Sequence, residues 1–271
     1  MKNSNYNILV IFLLFTTVCF SQGFQGKVVY QTKTTVDMKL DSTRFNPEQQ
    51  KRIADRMKSM NEKVYVLSFN ASESIYKEEE KLEQPGQGGR FRFGGFTNGK
   101  KFKDTKSKTY TTEQEFSGKM FLIKDSLPTL NWEFKDESKM VGQHLCFKAV
   151  AKRMIPNVDQ FRFGRRNQGE NKPKDSLKQI LVVAWYTPDI PVSQGPGDYW
   201  GLPGLILEIN ADKTQIVSTK IVINPKDKAE IKEPKKGKVV TQAEYDDILA
   251  KKMKEMQEMF RSRGVRDGRG G

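Results

Sequence analysis

The segment from Gln179 to Asn224 limits the fold more than any other part of the chain. Gln179–Tyr186 (QILVVAWY) is the most apolar stretch beyond the amino terminus and reads as a buried strand. Asp189–Pro203 then carries so many Pro and Gly residues that neither helix nor ladder can run through it. Leu205–Ile209 alternates, and Ala211-Asp212 makes a tight hairpin into Thr214–Asn224. Upstream the same punctuation recurs. Val28, Tyr30 and Val36 fit one period-2 pattern among polar residues within Gly26–Leu40, and Val64, Val66 and Phe69 give Lys63–Tyr76 strand character. Further strand-like pieces are Lys108–Phe116, Lys119–Lys124, Leu130–Phe134 and His144–Lys152. Many short strands at close spacing predict a mainly β fold built on a curved antiparallel sheet or half-barrel.

Two helices complete the expectation. Asn46-Pro47 is a cap followed by Pro at the first helical position, and Ile53, Met57 and Met60 give a short amino-terminal helix a narrow apolar stripe. At the other end Thr241 and Glu244 form a capping box. Tyr245, Ile248, Leu249, Met253, Met256 and Phe260 then follow at helical spacing. The expected organisation is a β domain over 22–224, a charged linker over 225–240, an amphipathic helix over 241–263 and a disordered tail over 264–271. If that helix docks weakly, removing the residues after Lys238 leaves the melting transition of the sheet largely intact. Two segments read as flexible insertions, 84–107 and 156–173; both are rich in Gly and basic residues, and both carry Phe-Arg-Phe-Gly.

The amino terminus points to export. Lys2 precedes the uncharged run Ile8–Phe20, and Cys19-Phe20-Ser21 places small residues where a signal peptidase needs them. A run of about 13 residues is short of the roughly 20 needed to span a bilayer, so 1–21 reads as a signal peptide cleaved near Ser21. The mature chain has no transmembrane segment on this reading. Lipidation of Cys19 is the competing reading; against it, Val18 stands where a small residue belongs. The expected location is the periplasm, or an association with the outer membrane. Only Cys146 remains after cleavage, so the domain holds without an internal disulfide.

Hydrophobic residues are 36% of the chain and charged residues 30%, which fits a real core interrupted by polar insertions. The formal net charge is +14. Its densest parts lie in the insertions, at Gln84–Lys103 and Phe161–Lys174, and the rest is dispersed. Solvated loops on an exported protein account for that distribution, the alternative being loops that face anionic envelope material such as lipid headgroups or an acidic partner; no nucleic-acid partner is expected.

One stretch stands apart: Trp185-Tyr186, Pro188, Ile190-Pro191, Gly195-Pro196, then Tyr199-Trp200-Gly201-Leu202-Pro203-Gly204-Leu205-Ile206. It resembles the signature of the GLPGLI family of exported Bacteroidetes proteins. Gly26-Lys27-Val28-Val29-Tyr30, Trp132, Gly142, Cys146, Lys148 and Ala149 agree with that resemblance. The resemblance implies an envelope protein without assigned activity, often encoded near outer-membrane receptors. Its layout is also similar to the half-barrels that carry lipids or lipoproteins across the periplasm. Read from the residues themselves, Tyr199, Trp200, Gly201, Leu202, Pro203 and Gly204 form a rigid aromatic turn. Such a turn either locks the fold or presents a recognition loop.

Catalytic patterns are missing. The single histidine, His144, lies two residues from Cys146 on one strand face, a poor geometry for a nucleophile and base, and no orienting carboxylate is indicated nearby. One His and one mature Cys do not make a zinc site, and no phosphate loop or nucleophile elbow is present. No cofactor or metal is expected. The expectation is a non-enzymatic periplasmic binding or accessory protein, acting with an outer-membrane component such as a receptor or with a lipid-like apolar ligand. The alternative is a hydrolase whose carboxylates meet only across strands.

Overall fold

In the computed structural model, residues 24–35, 46–79, 99–156, 177–227 and 230–266 are described. The signal-peptide reading, most of the 84–107 insertion and nearly all of the 156–173 insertion fall outside them. The first six strands are β1 (Gln25–Thr34), β2 (Glu62–Asn70), β3 (Glu73–Glu78), β4 (Lys101–Asp104), β5 (Thr109–Phe116) and β6 (Lys119–Ser126). The next six are β7 (Glu133–Val141), β8 (His144–Pro156), β9 (Leu177–Thr187), β10 (Leu205–Ala211), β11 (Thr214–Ile223) and β12 (Lys238–Val240). Helix α1 (Pro47–Asn61) lies between β1 and β2, and α2 (Gln242–Arg266) follows β12. All twelve strands form one sheet, in the order β12-β6-β5-β4-β3-β2-β1-β11-β10-β9-β8-β7. It consists of two meanders, β1 to β6 and β7 to β11, joined where β1 pairs antiparallel with β11. The mainly β, curved-sheet expectation with two helices therefore holds.

Alternation explains most of the strands. Val28 and Tyr30 on β1, and Ile180, Val182, Ala184 and Tyr186 on β9, point inward and are buried. Leu181 on β9 is exposed, so the Gln179–Tyr186 strand is one-sided rather than buried on both faces. Both helix starts are fixed by reciprocal caps. The Gln49 amide donates to Asn46 Oδ1 at 2.8 Å, and the Glu244 amide donates to Thr241 Oγ1 at 3.2 Å.

Two boundaries differ from the sequence expectation. Strand β4 lies inside the segment read as an insertion over 84–107, because Phe102 packs on one face of the sheet and Lys103 is buried on the other. Within the charged linker, Lys238–Val240 adds a parallel strand beside β6. That strand brings α2 onto the sheet: Tyr245 is buried with Val240 and meets Phe121 edge-on at 5.4 Å, and Ile248 and Leu249 pack beside them. Removing the residues after Lys238 is therefore expected to cost about 3 kcal/mol or more. Thermal melting of the truncated chain checks this; an unchanged transition would mean that α2 does not dock.

The sheet rolls strongly. Six strands separate β4 from β8, about 34 Å across a flat sheet at the usual interstrand spacing. Yet Lys101 on β4 and Arg153 on β8 bond the same carboxylate, Asp198. The two halves of the sheet thus face one another, and the 188–204 loop between β9 and β10 lies between them.

Candidate functional site

The roll places two surfaces for consideration: the loop in its interior and the strip at its β7 edge. The loop is held from three directions. Ser74 on β3 donates to the Gln194 side chain at 2.8 Å. Lys103 Nζ on β4 donates to the carbonyls of Gly195 at 2.6 Å and Tyr199 at 3.3 Å. Arg153 on β8 bonds Asp198 at 3.0 Å, and its guanidinium lies 5.6 Å from the centre of the Tyr199 ring. Burial alone would raise the Asp198 carboxyl, but Lys101 and Arg153 outweigh that and bring it down to about 2. A carboxylate held ionised so firmly is unsuited to act as a general acid.

The structure packs most of the six motif residues inward. Leu202 is fully buried in the main core, Trp200 is buried in the cluster beneath α2, and Tyr199 is half-buried against Arg153. Trp200 Nε1 donates to the Pro128 carbonyl at 2.8 Å, and the Trp200 carbonyl accepts from Trp132 Nε1 at 3.0 Å. Gly201 has φ +90, which favours glycine, and a Cβ at Gly204 would overlap the Thr187 carbonyl. Gly201 and Pro203 are exposed. The turn thus offers a partner little side-chain surface, and its geometry is that of a lock.

Cys146 is fully buried, and burial pushes its thiol up to about 11, away from the thiolate a nucleophile needs. Its Sγ faces the His144 carbonyl at 3.6 Å rather than the ring. The His144 ring instead approaches Asp189, Nδ1 to Oδ2 at 3.4 Å. Sequence reading missed that carboxylate because it lies 45 residues away along the chain.

The second surface was not legible in the sequence. Register places Phe134, Met140, Leu145 and Phe147 on one face of β7 and β8. They are 60%, 59%, 45% and 36% exposed. Tyr186 on β9 lies beside them, its ring centre 6.2 Å from Phe134 and 6.3 Å from Phe147. On the opposite face Lys139 pairs with Glu208 and covers Trp185, its Nζ 4.4 Å from the ring. Lys148 pairs with Glu137 and Lys135 with Glu133. The strip is thus apolar and its charged surroundings are balanced.

A family model described as a protein of unknown function (Porph_ging) matches residues 132–208, from Trp132 on the approach to β7 to Glu208 in β10. That span holds both surfaces. No curated protein matches the chain. Among solved structures, PNGF-II in space group C2 resembles it with a TM-score of 0.49 and 12% identity over 84% of this chain. The same protein in space group P21 gives 0.48 and 13% over 83%. In each case the match spans 33% of the solved chain.

Proposed function

We propose that this chain is a GLPGLI-type exported protein of the bacterial envelope, and that it is a non-enzymatic binding protein. It acts by docking the apolar surface of a partner protein, an outer-membrane component, along Phe134, Met140, Leu145 and Phe147. The observation that carries this reading is the exposure of those four side chains on one face of adjoining strands. Contiguous apolar side chains at a surface are costly to leave in water and mark sites of association. Their neutral surroundings favour an apolar protein partner over an anionic surface. A ligand enclosed in the roll is the weaker reading, because Leu202 and Gln194 of the 188–204 loop are buried there.

The test is the double substitution Phe134→Asp with Phe147→Asp. Phe134 is largely exposed and Phe147 is partly packed on Tyr186, so the double variant should stay folded with a loss of about 1–2 kcal/mol, read from its melting temperature. Cross-linking in intact envelopes should lose its adducts with the outer-membrane component. Adducts retained by a folded double variant would sink the docking reading. Amino-terminal sequencing of the fractionated protein should begin at Gln22; retention of Met1 would sink the export reading.

A further inference from the structure

Among the described charged side chains, only Lys103 is wholly shielded from solvent. No described carboxylate bonds it, because the nearby Asp198 is held by Lys101 and Arg153. Its two hydrogen-bond partners are the loop carbonyls of Gly195 and Tyr199. A neutral amine has two N–H groups and fills these two acceptors, whereas an ammonium brings a third N–H and a charge into the dry interior. Asp198 and the two carbonyls all belong to the 188–204 loop, so undocking that loop would rehydrate Lys103.

We propose that docking of the 188–204 loop is proton-linked through Lys103: the loop closes on the neutral amine, and each opening takes up one proton at Nζ. The loop is then a latch that tightens as the pH rises. Burial brings Lys103 down to about 7, with Asp198 opposing that shift and Lys101 adding to it. In an opened loop the group returns to its ordinary value of 10.5. Between those limits the open form holds one proton more than the closed form, so raising the pH favours closure. Below about 7 both forms are protonated and the dependence is flat.

The surrounding groups leave this window clear. Lys101 on the same strand and Arg153 on β8 are paired with Asp198, whose carboxyl sits near 2. Burial raises the phenols of Tyr199 on the loop, Tyr110 on β5 and Tyr76 on β3 above their ordinary value. At the start of the loop, His144 pairs with Asp189. The His144→Gln variant used below removes that ion pair from the measurement.

Amide hydrogen exchange on the full mature chain between pH 6 and 9.5, corrected for intrinsic rates, tests the proposal at the Val192, Tyr199 and Gly201 amides, all bonded within the loop. The opening constant should fall about tenfold per pH unit above pH 7 and level off below it. His144→Gln should keep that slope and Lys103→Met should abolish it. A flat wild-type profile, or loop amides opening only together with Leu67 in the core, would overturn the proposal. Should Lys103→Met not fold, the wild-type Lys103 Nζ is titrated directly by NMR. A midpoint near 7 supports the latch and one near 10.5 refutes it.

Discussion

Trp200→Ala is expected to lower the melting temperature by roughly 6–20 °C, from a loss of about 3–5 kcal/mol. The indole is buried among Tyr110, Phe116, Phe121, Ile123 and Leu127 from the β5–β6 hairpin and the turn after it, and Val240 and Tyr245 close the cluster from the carboxyl end. Its truncation would open a cavity at the point where the loop, the first meander and α2 meet. It would also leave the Pro128 carbonyl without the indole N–H that now reaches it at 2.8 Å. Differential scanning calorimetry of wild type and variant decides it. A melting temperature within 2 °C of wild type would mean that Trp200 is not part of the lock, and the binding assignment for Tyr199 and Trp200 would have to be reopened.

Asp198→Asn is expected to be the second large effect, because one carboxylate ties β4 to β8. The substitution keeps the volume and removes the charge, leaving Lys101 and Arg153 facing each other across the roll. Breaking a buried pair costs about 3–5 kcal/mol; water still reaches part of this carboxylate, so about 2–3 kcal/mol is the better expectation. The pH profile provides a separate signature. With the folded-state value lowered from 3.8 to about 2, the carboxylate contributes stability that is fully present above pH 4. That stability is lost as the pH falls through 2. Acid titration of the wild type should show the loss, about 2 kcal/mol at most, and Asp198→Asn should not. Equal acid profiles for the two proteins would mean that Asp198 stands free of its cations.

The elements most legible in the sequence were those where one local rule acts alone. Val28 and Tyr30 alternate because one face of β1 is dry, and the Asn46 and Thr241 caps satisfy amides only three residues away. The missed elements answer to distant parts of the chain. Strand β4 looked like part of a basic insertion, since no pattern rule puts a lysine inside a core. Lys103 is admitted there by carbonyls more than 90 residues further on. Strand β7 reads Glu-Phe-Lys-Asp-Glu-Ser-Lys-Met-Val, and it alternates poorly because it is an edge strand with a bulge between Lys135 and Ser138. The candidate docking strip was hidden for the same reason. Phe134 and Met140 look like core residues by type, and their exposure follows only from lying at the end of the sheet.

The seam between β1 and β11 governs how such a chain can reach its native state. Gln25 and Asn224 bond each other across 199 residues, and the whole length of β1 runs against β11. Each meander is assembled from neighbouring strands and closes through short connections, apart from the long segments between β1 and β2, β3 and β4, β8 and β9, and β9 and β10. The seam has no such help. Its cost in chain entropy is met only after both ends of the domain are present, which places the molecule among slow folders dominated by distant pairings. Until the seam closes, β1 and β11 are both open edges able to pair with a neighbouring chain. The interval between synthesis of the first strand and arrival of the eleventh is therefore the period in which this protein most needs to be kept unfolded or shielded.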